Sequence, residues 1–189
     1  MTRCRSGGFT LIEVLVALVI ALVGMMGAAG LIVRTVQQEV DAFQRLQALN
    51  LVQDITDRIN ANRQVVDCYS DAANGRVLGT GAAAPTACTL GTAEQRATAN
   101  LDLAEWNAAL LGAARQNEDD ENIGAMVGAR GCIEQIDAVD RRYRVTVVWQ
   151  GMSESTAPAA NLLCGQNQYG DDDRQRRVVS AVVQIGDLS

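Results

Sequence analysis

Few side chains in this sequence could do chemistry, and their types narrow the choice. None of the 189 residues is histidine, which removes serine–histidine and cysteine–histidine nucleophile pairs and every histidine-ligated metal. The cysteines are Cys4, Cys68, Cys88, Cys132 and Cys164, and no two have the CxxC spacing of a zinc or redox site. Two acidic runs, residues 118–121 and 171–173, offer the oxygen donors that calcium takes. Neither has the alternating spacing of a calcium loop, and such runs more often serve as solvated loops. Paired carboxylates could also suggest glycoside chemistry, but with aromatics at 4% of residues nothing supplies a substrate cleft. We therefore expect no enzyme, no metal and no cofactor. One acid stands apart. Glu13 lies four residues into an apolar run, where a carboxylate costs roughly 2.5–3.5 kcal/mol at mid-membrane on insertion scales, and less near the interface. Such a residue needs a partner.

The segment that positions Glu13 starts at Phe9, after a short polar stretch carrying Arg3 and Arg5. From Val14 to Val33 no residue is charged. At ~1.5 Å of rise per residue, a helix of this length spans the ~30 Å hydrocarbon core of a bilayer. The arginines before it favour a cytoplasmic amino terminus, with the residues after Arg34 outside the membrane. A cleaved secretory signal fits poorly: its apolar core would be shorter and followed by small residues, whereas Gly7 and Gly8 precede the run.

Beyond Arg34 the pattern becomes amphipathic. Val36, Val40, Phe43, Leu46, Leu49, Val52, Ile55 and Ile59 recur at steps of three or four, the spacing of one helical face. Proline is absent from residues 9–66, so a single helix of about 55 residues is the economical reading, far longer than an ordinary globular helix. Gly24, Gly27 and Gly30 weaken it locally, each by roughly 1 kcal/mol relative to alanine. They suit either close packing of helices in a membrane or a stretch that extends on leaving it.

Residues 67–100, rich in Gly, Ala, Thr and Asn, read as loop. A short amphipathic helix is expected over 101–115, with Leu103, Trp106 and Leu110 on one face, then an acidic linker at 117–122. Residues 131–138, 143–150 and 178–185 are strand candidates, the last two alternating and rich in β-branched residues. A long connection, 151–177, joins the second strand to the third. The expected fold class is α+β: one long amino-terminal helix, membrane-spanning in its first half, packed on a small antiparallel β-sheet domain.

The run Gly8-Phe9-Thr10-Leu11-Ile12-Glu13-Val14 resembles the class III leader junction of type IV pilins and type II secretion pseudopilins. The resemblance implies a pilin-like fold in four parts: a leader at 1–8, a membrane and filament-core half-helix at 9–33, an amphipathic half-helix at 34–66, and a periplasmic domain at 67–189. It implies that a prepilin peptidase cuts between Gly8 and Phe9 and that the new Phe9 amine is methylated. Glu13, fifth in the mature chain, would then face the ammonium of a neighbouring subunit. An amine and a carboxylate that are each costly alone in a low dielectric become tolerable as a pair. Cys4 would leave with the leader. The remaining Cys68, Cys88, Cys132 and Cys164 would form disulfides in an oxidising periplasm. Three pairings are open; Cys68–Cys88 with Cys132–Cys164 is preferred because each closes a loop-rich segment, a closure contributing on the order of 3 kcal/mol.

Within that group, residues 12–18, 57–63, 102–106 and 147–151 are similar to the minor-pilin family of type IV pilus modification proteins, PilV. What this implies is a minor pilin that helps prime or assemble the pilus, with effects on motility, adhesion and DNA uptake through pilus number. Its implied partners are the prepilin peptidase, other minor pilins, the major pilin and the inner-membrane assembly machinery. Its implied location is the inner membrane, single-pass, and then the pilus. A minor pseudopilin of type II secretion would share the leader, Glu13 and the helix. Direct nucleic-acid binding is not expected: residues 34–189 hold 14 arginines against 21 acids. The two arginine clusters, 141–144 and 174–177, flank strand candidates, where solvated edge protection is the commoner use.

Overall fold

A computed structural model of the protein describes residues 8–113 and 126–186. Arg3, Cys4, Arg5 and the acidic run 118–121 lie outside the described residues. The chain divides into two units, 1–40 and 41–189.

Helix α1, Leu11–Ala61, supplies the amino-terminal unit and one layer of the second. It ends five residues before the expected 66. A 3-10 turn, Arg63–Val65, and a short helix α2, Val66–Ser70, follow. Asp71 then ends α2 in the left-handed conformation, its N–H on the Asp67 carbonyl. Helix α3, Ala93–Leu110, begins eight residues earlier than its apolar pattern suggested. Its start is a capping box: the Thr92 side chain accepts from the Gln95 N–H while the Gln95 side chain accepts from the Thr92 N–H. That polar signal lies in the stretch read as loop, and so does strand β1, Arg76–Gly79. The other strands are β2, Arg130–Asp137, β3, Arg142–Gln150, and β4, Arg176–Gln184. The sheet is an antiparallel meander, β1-β2-β3-β4, with a register shift between Gln135 and Asp137.

The faces of the sheet follow strand alternation. Tyr143, Val145, Val147 and Trp149 of β3, with Val179 and Val183 of β4, join the core formed with Ala48, Val52, Ile55 and Ile59 of α1 and with Leu103, Trp106 and Leu110 of α3. Gly131 in β2 makes room for an indole: a Cβ there would stand 2.3 Å from Cη2 of Trp106. On the opposite face, Cys132, Val148, Cys164 and Tyr169 form a second buried cluster with Val178 against it. This is how the long connection 151–175 stays folded: it lies over the outer face of the sheet and is joined to β2 by the Cys132–Cys164 disulfide. The Cys68–Cys88 disulfide closes the segment containing β1.

The expected helical stripe needs correction. Only its later part is buried in the domain, together with Ala48, whereas Phe43, Leu46 and Leu49 stay exposed. The side that meets the sheet is Gln44, Ala48, Val52, Ile55 and Ile59, turned away from the Phe43–Leu46–Leu49 row. The arginine reading also changes at Arg176. This side chain is buried, donating from Nη1 to the carbonyls of Leu162 and Cys164 and pairing with Asp173 at 2.9 Å. It pins the connection 151–175 from inside. Asp173 also accepts the Asn167 N–H, so this member of the acidic run 171–173 is engaged in holding the loop.

Candidate assembly site

The amino-terminal unit is built around the start of α1. Gly8, Phe9 and Thr10 precede the helix, and Phe9 is 83% exposed. Nothing lies within 4 Å of a Cβ placed on Gly8, so the Gly8–Phe9 bond has open space beside it. Thr10 opens the helix: its carbonyl accepts the N–H groups of Glu13 and Val14, and its hydroxyl oxygen lies 3.4 Å from the Glu13 nitrogen. Glu13 falls in the first turn, where the helix dipole favours a negative charge. Among the described residues, nothing within the chain pairs with its carboxylate.

Around Glu13 the helix surface is hollow. Phe9, Glu13, Val14, Ala17, Leu18 and Ala21 line one depression, in which small alanines alternate with bulky side chains along the helix. Where helices pack, such a hole takes a knob from the facing helix. From Gly8 to Glu39 every residue is exposed, and α1 is long and apolar enough to cross a membrane by length and composition. Gly24, Gly27 and Gly30 lie within this uninterrupted helix, and a Cβ added at any of them would have open space around it.

The second unit holds its own part of α1 by polar contacts as well as by the core. Arg58 reaches three carboxylates: Asp54 at 3.0 Å, Asp102 at 3.0 Å and Glu105 at 2.6 Å. The Glu105 bond is the largest of the effects that raise the Arg58 pKa above its ordinary value, with burial opposing and Asp54 and Asp102 adding. The Tyr69 hydroxyl donates to the other oxygen of Asp102 at 2.5 Å and accepts from Asn62. Burial first, then the Asp102 carboxylate, push the Tyr69 phenol well above its usual range. Two indoles complete the attachment: Trp106 Nε1 donates to the Leu51 carbonyl at 2.9 Å, and Trp149 Nε1 donates to Gln44 at 3.2 Å. The sequence shows only the four-residue spacing of Asp54 and Arg58; Asp102 and Glu105 lie 44 and 47 residues from Arg58, on α3, and carry no local signal.

This geometry is one exposed apolar helix with an unpaired acid near its start, attached to a small α+β domain. Residues 3–29 match the family described as the prokaryotic N-terminal methylation motif, and residues 30–108 match type IV pilin Tt1218. The chain carries a prepilin leader and a type IV pilin domain. No curated protein and no solved structure is significantly similar to it. The two matched stretches cover the leader, α1, β1 and most of α3. Strands β2, β3 and β4 lie beyond the second match. Type IV pilins are structural proteins, and the prepilin leader implies processing by prepilin peptidase and assembly with other pilins.

Of the residues singled out from sequence, Gly8, Phe9 and Glu13 are together at the start of α1. The four cysteines are elsewhere, holding loops of the second unit.

Proposed function

We propose that this protein is a minor type IV pilin of the pilus modification (PilV) kind, acting in priming or assembly of the pilus. The observation that carries the reading is the carboxylate of Glu13, without a partner among the described residues and set in an apolar hollow four residues after Phe9. Prepilin peptidase cuts after Gly8, the Phe9 amine is methylated, and that ammonium pairs with Glu13 of the adjoining subunit. Before assembly the chain rests in the inner membrane with its amino terminus cytoplasmic and its domain periplasmic. The residues then divide into the leader 1–8, the membrane and filament-core half-helix 9–33, the amphipathic half-helix 34–66 and the periplasmic domain 67–189. Cys68–Cys88 and Cys132–Cys164 brace that domain in an oxidising compartment. The exposed Phe43, Leu46 and Leu49 give the helix a second apolar row for neighbours in the fibre.

The test is deletion of the gene with surface pili and secreted proteins counted in the same cultures, complemented by the wild-type, Glu13→Ala and Glu13→Gln chains. Pili should fall with secretion intact and return only with the wild-type chain. Normal piliation with failed secretion would instead assign the protein to a type II secretion pseudopilus.

A further inference from the structure

The two edges of the sheet are not equivalent. Just beyond the two ends of the β3–β4 ladder, Ile185 N–H bonds the Arg141 carbonyl and Gly151 N–H bonds the Gln175 carbonyl. Bonding alternates along an antiparallel pair, so the odd-numbered residues of β4 face β3 and the even-numbered ones turn their N–H and C=O groups outward. The Arg176 N–H is taken by the Asp173 carbonyl. Among the described residues, the outward groups of Val178, Ser180, Val182 and Gln184 have no partner. Ser180, Val182 and Gln184 are exposed, and no charge, proline or bulge protects this stretch. At β1 the same reasoning applies from Thr80 N–H, which bonds the Ala129 carbonyl, so Val77 and Gly79 turn outward. Gly79 is already satisfied on both sides: its N–H by Asn107 Oδ1 at 2.8 Å and its carbonyl by the Ala82 N–H. One edge is short and partly closed, with Val77 alone still turning its groups outward. The other is open and long, the condition under which a strand recruits another chain.

We propose that the β4 edge, from Val178 to Gln184, is a docking surface for an edge strand of a different pilin-type subunit, added antiparallel to β4. The inference rests on the pilin reading above, because the choice of partner comes from a shared membrane. Two copies of this chain could pair β4 to β4 only about a two-fold axis normal to the sheet. Residues 41–61 of α1 lie along one face of the sheet, so that axis makes them run oppositely in the two copies, against entry from one bilayer. Co-oriented neighbours instead present β4 to the β1-side edge of the next sheet, and in a meander those strands are antiparallel. In this chain Asn107 and the turn at Ala82 take both outward groups of Gly79 and leave only Val77, so a second copy is a poor acceptor and the strand comes from another subunit whose first edge is open. The edge also borders a hollow of about 370 Å³ lined by Asp41, Ala42, Arg45, Trp149, Arg177 and Val178.

The test is photo-crosslinking of the full-length chain in its own cell membranes, with a benzophenone residue at Val182 or, as the other edge, at Val77. The expected result is an adduct from position 182 alone, identified by mass spectrometry as a different protein with a prepilin leader. Ser180→Pro removes an outward N–H without touching the bonds to β3, and Val182→Lys adds a charge to the edge. With either change present and the probe at Gln184, the adduct should fall about tenfold, through the lost hydrogen bond and the ring at the edge in the first case and the edge charge in the second. Adducts with a second copy of this chain, equal adducts from Val77, or none from position 182 would overturn the proposal. Leader cleavage is followed in the same samples. A processed chain recovered with pili but lacking the adduct refutes the edge alone, whereas an unprocessed chain refutes the pilin reading beneath it.

Discussion

Replacing Arg58 with methionine should loosen α3 from α1, and the size of the effect follows from the three carboxylates it meets. The side chains of Asp54 and Glu105 are 42% and 50% exposed, and such pairs contribute about 0.2–1 kcal/mol each. Asp102 differs, with its side chain only 11% exposed. Stripped of the guanidinium, it keeps the Tyr69 hydroxyl as its donor and becomes a nearly buried, uncompensated anion. Breaking a fully buried pair costs about 3–5 kcal/mol; because Arg58 is itself 29% exposed, water screens this pair, and about 1.5–3 kcal/mol is the reasonable share. The whole substitution should cost about 2–5 kcal/mol, or roughly 4–20 °C in melting temperature for a domain of this size. Asp102→Asn should cost less, since the amide oxygen still accepts from Tyr69. The double variant should recover at least 1 kcal/mol relative to the sum of the single changes, because neither is left facing the other's charge. The assay is urea and thermal unfolding of the full chain in detergent, followed by tryptophan fluorescence; Trp106 lies on the same helix and donates to Leu51. Additive effects, or an Arg58→Met chain within about 0.5 kcal/mol of wild type, would refute the network as a clamp, since surface substitutions alone give that much.

Three further outcomes are expected. All three tyrosines have phenols pushed upward, chiefly by burial, Tyr169 to about 12. With the folded pKa values above an unfolded value of about 10, their stabilisation is complete below pH ~10 and is lost as pH rises through the folded values, by about 2 kcal/mol for Tyr169 alone at pH ~12. Absorbance near 295 nm should thus stay flat above pH ~10 until the domain unfolds; a gradual rise of the folded protein near pH ~10 would contradict this. Gly131→Ala drives a methyl group into the Trp106 ring and should destabilise the domain by about 1–3 kcal/mol in the same unfolding assay; an unchanged midpoint would mean the indole is not packed there. Removing the Cys132–Cys164 link with paired serines should cost on the order of 3 kcal/mol and expose residues 151–175 to limited proteolysis before the rest of the domain; equal protection in both chains would contradict the role given to that bond.

How much of this was legible in advance depended on the range of the interactions involved. The leader junction, the charge-free stretch to Val33 and the displaced acid at Glu13 are local or compositional features, and they made the amino-terminal unit readable residue by residue. Strands β2, β3 and β4 were placed to within two residues at each end, because period-two alternation of β-branched residues is also a local property. Strand β1 was missed, since four residues, Arg-Val-Leu-Gly, carry too little pattern. The start of α3 was missed because attention to apolar spacing passed over the Thr92–Gln95 capping box, which was present in the sequence.

Other features needed the fold. The stripe from Val36 to Ile59 was periodic throughout, but the sheet covers only one side of the helix, so Phe43, Leu46 and Leu49 remain in the open. Arg176 looked like a solvated charge until the connection 151–175 folded over the sheet and surrounded it with carbonyls and Asp173. The Arg58 network and the inequality of the two sheet edges are likewise tertiary, because each depends on groups far apart in sequence arriving at one place. The sequence by itself determined an apolar helix long enough to cross a membrane, with one acid near its start. Tertiary structure decided which face of that helix the domain covers and which backbone groups remain free, because burial and hydrogen-bond satisfaction are properties of neighbours in space.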